Sequence, residues 1–339
     1  MEGLRFGTNI SHWLSQCRLD RALMEERFGR ADVERLASWG MDHFRLPVDY
    51  RLFAQDGGAG DFSEEGLSWI DRALDWADHA KLNVVLDMHF LPGHDFGREA
   101  ANTIWRKDGE DRALALAIWE MLAQRYRGAR HLALELLNEP VAADDDDWNG
   151  LAADLLAAIR RHDPGVWVVI PSNRFAHLSK FAALKRFDDP RVIYTFHSYE
   201  PLLFTHQNAP WVPLAMELGG GKVPYPGPLD KALLASSSLR ENFGWMAERV
   251  YGADYLEDNL RAALDFRAKC GNAIYCGEFG VITHAGRMDR LRWHRDIVAL
   301  YRRHDIGMAS WDYKSRDFGL VDEAGRVDED LLEILRTGL

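Results

Sequence analysis

The 339-residue chain is poor in cysteine, poor in positive charge and free of long apolar runs. Its three cysteines, Cys17, Cys270 and Cys276, are odd in number and lack metal-type spacing, which argues against a disulfide framework and against a zinc site. Lys and Arg total 41 against 53 Asp and Glu, a formal net charge of −12. No basic stripe offsets this, so nucleic acid is not an expected partner. No stretch of about 18 apolar residues occurs, so no membrane-spanning helix is expected. The opening MEGLRFGTNI carries no basic-then-apolar leader. The expectation is a cytoplasmic protein, or a secreted one if a leader has been removed, and a monomer. No linker or internal repeat divides the chain.

Hydrophobic residues make up 47% of the chain, enough for a large core. Apolar strand-like runs alternate with amphipathic helices throughout. Strands are predicted near Leu4–Asn9, His43–Leu46, Asn83–Met88, Leu132–Leu137, Val166–Ile170, Val192–Phe196, Ala273–Gly277 and Ile306–Trp311. Eight strands alternating with helices predict an α/β fold, a (β/α)8 TIM barrel spanning the whole chain. Ser63 reads as an N-cap before Glu64 and Glu65, with Leu67, Ile70 and Leu74 at helical spacing. The acidic run Asp144–Asp147 reads as a solvated loop before a helix over Trp148–Arg161.

One region exceeds what a βα connection needs. About 199–255 holds Pro201, Pro210, Pro213, Gly219-Gly220-Gly221 and Pro224, with the aromatics Phe204, Trp211, Tyr225, Phe243 and Trp245. Long structureless loops are rare, so a small ordered subdomain inserted after strand six is expected. It follows the C-terminal end of a strand and so should overhang the active-site mouth. Phe204 and Trp211 are expected to overhang that mouth beside Tyr199.

The fourth and seventh strands carry the chemistry. HLALELLNEP runs through an apolar stretch, broken by Glu135, and stops at Asn138-Glu139-Pro140. The proline keeps Glu139 extended and blocks a helix start. IYCGEF ends in the same way, with Glu278. In a β/α barrel, catalytic groups sit at the C-terminal strand tips. Two carboxylates there are the parts that glycosidic cleavage requires. The other tips present Arg45, His89, His197, Tyr199 and Trp311. Singly, each has a plainer reading: a core histidine, or an arginine neutralising a buried acid. Their convergence on one face favours a site. Retention needs one carboxyl held protonated and the other ionised. Arg45 and the Tyr199 hydroxyl near Glu278 would keep it a carboxylate nucleophile. Glu139, beside a neutral amide, suits the acid/base. Asn138 would bond the sugar 2-OH, and Trp311 would lie under the ring.

These segments, FRLP, LDMH, ELLNEP, FHSY, YCGEFGVI and the Trp311 strand, resemble glycoside hydrolase family 5, the cellulase-like barrels. GTNISHWLSQ, LFTHQ, VPYPG and WDYKSRDFG resemble in particular its compact clostridial endoglucanase C type. The resemblance implies Glu139 as acid/base and Glu278 as nucleophile, with Arg45, His89, Asn138, His197, Tyr199 and Trp311 around the sugar beside the cleaved bond. It implies a retaining endo-β-glucanase on β-1,4 or mixed β-1,3/β-1,4 glucans, with no cofactor and no metal. The chain departs from that pattern at HFLPGHDF and at Ser198. The alternatives are an exo-acting β-glucosidase or a β-mannanase on the same barrel. More distant ones are a metal-dependent hydrolase using His89 and His197, and a non-catalytic sugar-binding barrel.

Overall fold

The computed structural model describes residues 3–54, 60–98 and 101–339. Met1 and Glu2, which open the N-terminal stretch read above, lie outside the described residues. Eight strands close into an all-parallel barrel in chain order: β1 Phe6–Asn9, β2 His43–Asp49, β3 Asn83–Phe90, β4 Leu132–Glu135, β5 Trp167–Pro171, β6 Val192–Ser198, β7 Ile274–Phe279 and β8 Gly307–Ser310. β1 pairs with both β2 and β8, which completes the ring. The fold is the expected (β/α)8 barrel. Among the described residues, no helix is long and apolar enough to cross a membrane.

Side chains alternate across a strand, so one residue in two enters the barrel. Val85, Ala133, Val169, Ile193, Tyr275 and Ala309 pack together there, apart from the main core between strands and helices. His43 joins this layer, with Nε2 2.8 Å from the Tyr275 hydroxyl. Glycine is needed opposite it, because a Cβ on Gly7 would lie 2.5 Å from the His43 ring. Two residues further along the same faces come Arg45, Asp87, Glu135 and Thr195, all fully buried. The barrel therefore changes from apolar to ionic toward its C-terminal end.

The helices follow their local signals. Ser63 Oγ accepts from Gly66 N at the start of helix Glu64–Ala80, whose Leu67, Ile70 and Leu74 are buried. The acidic run departs from its expected loop. Asp144 caps the helix Asp145–His162, its Oδ1 accepting from Asp146 N at 3.0 Å, and Asp145, Asp146 and Asp147 fill the first turn. Negative side chains are stabilised there by the positive end of the helix dipole.

Between β6 and the helix Ala253–Cys270 the chain forms short helices, among them Leu202–Thr205, Pro213–Met216 and Ser237–Phe243. Tyr225, Leu239, Met246 and Tyr251 are fully buried and continuous with the main core. The Gln207 side chain stitches the segment, donating to Phe204 O and Val223 O and accepting from Val223 N. Phe204, expected above the cleft, is instead wholly buried with its ring 5.3 Å from Tyr225. The segment packs onto the main core, and Phe204 is buried in that shared packing.

Candidate active site

Arg45, at the barrel axis, organises the C-terminal end. Its Nε and Nη2 donate to the two oxygens of Glu135, at 2.8 and 3.0 Å. Nη1 donates to Asn9 Oδ1 at 2.9 Å and to Glu278 Oε1 at 2.8 Å, and Nη2 also donates to Asn138 Oδ1 at 2.7 Å. All five N–H groups of the guanidinium are thereby used. Asp87 lies 3.1 Å from Nη2 but takes its hydrogen bond from His89, with Nδ1 at 2.7 Å from Oδ2. Its Oδ1 has no hydrogen-bond partner among the described residues. Three buried carboxyls thus share one cation, and desolvation raises Asp87 to about 7 despite Arg45.

Glu139 and Glu278 face each other across this cluster. Glu139 lies just beyond β4, where Asn138 N donates to Met88 O at 3.0 Å. The β6–β7 register shifts between Phe196 and His197, which sets His197 opposite Glu278. Such irregularities re-aim side chains. His197 Nδ1 then lies 2.8 Å from Glu139 Oε1 and 3.5 Å from Glu278 Oε2. An oxygen of each glutamate and a His197 nitrogen all fall within 4.8 Å of one another. The Tyr199 hydroxyl donates to Glu278 Oε2 at 2.9 Å.

The surroundings of the two carboxyls differ. Burial raises both. The Arg45 guanidinium opposes this at both, and the charge of Glu139 adds to the rise at Glu278. Glu278 alone among the two receives a guanidinium N–H and a phenol O–H directly, and both bonds favour its ionised form. His89 and His197 are held neutral, each pushed down to about 4 chiefly by burial. Among the described residues, their Nε2 atoms have no hydrogen-bond partner. Three donors within 4.8 Å are close enough to hold a cation, but the Arg45 guanidinium on Glu278 already supplies the positive charge and would repel one.

Arg45, His89, Asn138, Glu139, His197, Tyr199, Glu278 and Trp311 therefore form one constellation, with Trp311 stacked on His89 at 5.9 Å and 10°. Trp211 stands apart. It is 51% exposed and reaches the site through His206 and Phe318, each 6.4 Å from its ring, while both of these contact Tyr199. Sequence reasoning missed Asn9, Asp87 and Glu135. The available signal was spacing, since Asp87 is two residues before His89 on the same strand face.

A family model described as cellulase, glycosyl hydrolase family 5, matches residues 17–317. The chain is 35% identical to Endoglucanase C of Acetivibrio thermocellus over 99% of this chain and 98% of that protein. It is 31% identical to Cellodextrinase A of Ruminococcus flavefaciens, over 90% of this chain and 84% of the relative. In three dimensions it superimposes on endoglucanase Cel5A of Thermotoga maritima with a TM-score of 0.80, at 23% identity, covering 98% of this chain and 97% of the other.

Proposed function

Since the chain belongs to the cellulase family, glycosyl hydrolase family 5, we propose that this glycoside hydrolase is a retaining endo-β-glucanase acting on β-1,4 or mixed β-1,3/β-1,4 glucans, or on both. The observation that carries the mechanism is the close approach of Glu139 and Glu278, with oxygens within 4.8 Å. Retaining enzymes hold their carboxyls about 5–5.5 Å apart, whereas inverting ones need about 6.5–9.5 Å to admit a water.

In this reading Glu278, ionised by its contacts with Arg45 and Tyr199, attacks the anomeric carbon. Glu139 gives its proton to the departing glycosidic oxygen. The C–O bond breaks and a glycosyl ester forms on Glu278. Glu139, now a carboxylate, takes a proton from water, which displaces Glu278 and restores the β-anomer. Asn138 turns its Oδ1 to Arg45, so its amide N–H can meet the sugar 2-OH. The neutral imidazoles of His89 and His197 border the same space, and the Trp311 face lies beside them.

Three experiments test this. A product profile on mixed-linkage glucan, carboxymethylcellulose, laminarin and mannan reads the linkage and separates endo from exo action. Mannan belongs in the panel because a fold neighbour, Cel5A of Thermotoga maritima, has been solved with mannotriose. Glu278→Ala should abolish hydrolysis, and azide should restore turnover of an activated glycoside with inverted product. Proton NMR of the first product from a β-glucan should show the β-anomer. An initial α-anomer, or more than a few per cent of activity in Glu278→Ala, overturns the assignment.

A further inference from the structure

A cavity of about 860 Å³ opens between the loop after β1 and the loop after β8. It is bounded in part by His12, Arg18, Arg27, Lys314 and Asp317. In the ring of strands this lies across the barrel from β4 and Glu139. The leaving group departs toward the proton donor, so in the proposed mechanism the retained sugars lie on the other side, the side of the loops after β1 and β8, where His12 is within electrostatic reach of His89.

His12 stands on the cavity wall, exposed, with φ +55. Only glycine enters that region freely, and bulkier side chains do so at a cost. Residues in such conformations cluster where function demands them. The ring is anchored from behind. Its Nδ1 lies 2.8 Å from Ser11 Oγ, and the Ser11 hydroxyl donates to Asp312 Oδ2. Asp312 is buried and also accepts from Ser315 Oγ at 2.8 Å. With its own proton on Asp312, Ser11 Oγ can only accept from His12, so Nδ1 carries the hydrogen and Nε2 turns a lone pair to the cavity.

We propose that His12 is a specificity-determining residue, whose Nε2 accepts a hydrogen bond from a hydroxyl of a glucosyl unit on the retained side of the cleaved bond. Desolvation, reinforced by Arg27, lowers the imidazole below its usual value although the residue is partly exposed, and Nε2 is unprotonated at neutral pH. The inference rests on the roles given above to Glu139 and Glu278, since these orient the chain in the cleft.

The test uses one aryl leaving group on glucose, cellobiose and cellotriose, so that only the retained side lengthens. Wild-type kcat/KM should rise with length. In His12→Gly at least tenfold of that rise should vanish, while the melting temperature holds or increases because the left-handed strain is relieved. The gain with length surviving intact in His12→Gly would overturn the inference. So would an equal loss on all three substrates with a lowered melting temperature, the mark of a merely structural residue. A wild-type protein inert on all three would instead overturn the proposed function.

Discussion

Tyr199→Phe isolates one bond to the proposed nucleophile. The Tyr199 hydroxyl donates to Glu278 Oε2 at 2.9 Å, while Arg45 Nη1 holds the other oxygen at 2.8 Å. Phenylalanine keeps the ring against His206, at 4.8 Å, and Phe318, at 6.2 Å, so packing is preserved. A hydrogen bond to a charged group contributes about 1.5–3 kcal/mol. One pKa unit corresponds to about 1.4 kcal/mol, so Glu278 should rise by about 1–2 units. The sign is set by which form the bond favours. Tyr199 stabilises the ionised carboxylate, its loss raises the pKa, and attack needs the ionised form. The acid limb of the kcat/KM profile on an aryl β-cellobioside should therefore move to higher pH by about 1–2 units. The alkaline limb, which the proposed acid role assigns to Glu139 losing its proton, should move less. An acid limb that stays in place or moves down would refute the reasoning. An unchanged melting temperature would confirm that the shift is electrostatic.

Three further outcomes are expected. Glu139→Ala should slow hydrolysis of natural β-glucan by ~10²–10⁴-fold, the usual size of general acid–base help. The glycosylation step of a substrate with a good leaving group should suffer far less, and equal losses would count against the acid role. Trp211→Ala should raise KM on polymer with little change in kcat, because the half-exposed ring offers a platform whose loss costs on the order of 1–2 kcal/mol at about 25 cal/mol per Å². A parallel loss on a short aryl glycoside would defeat that reading. His294 is buried with Nδ1 2.7 Å from Arg290 O, and burial, helped by Arg290, lowers it to about 3. Its folded pKa lies below its unfolded one, so its contribution is present above about pH 6.5 and fades as pH falls. The stability advantage of wild type over His294→Gln should shrink on acidification from neutrality by about 1.4 kcal/mol per pH unit. Urea titrations at several pH values would read this, and a constant gap would contradict it.

The barrel was legible in the sequence because its strands and helices are local patterns. Eight apolar runs and the helical spacing of Leu67, Ile70 and Leu74 depend on near neighbours in the chain. The placing of Glu139 and Glu278 at two strand tips followed from the breaks at Asn-Glu-Pro and Gly-Glu-Phe in the same way. Other features required the closed ring. Glu135 reads in sequence as an interruption of an apolar strand. In the barrel it is the acceptor that fixes Arg45 from 90 positions away, and Glu278 meets the same guanidinium across 233. Those distances are set by register between strands, including the shift at His197, which no single run of residues encodes. Phe204 and Trp211 are both aromatics of one insertion, yet one fills its interior and the other faces solvent. Composition cannot separate them, because burial depends on what packs against each from elsewhere in the chain. The same holds for His12, whose Nε2 acquires a direction only when Ser11 meets Asp312, 301 residues on, at the closing seam of the barrel.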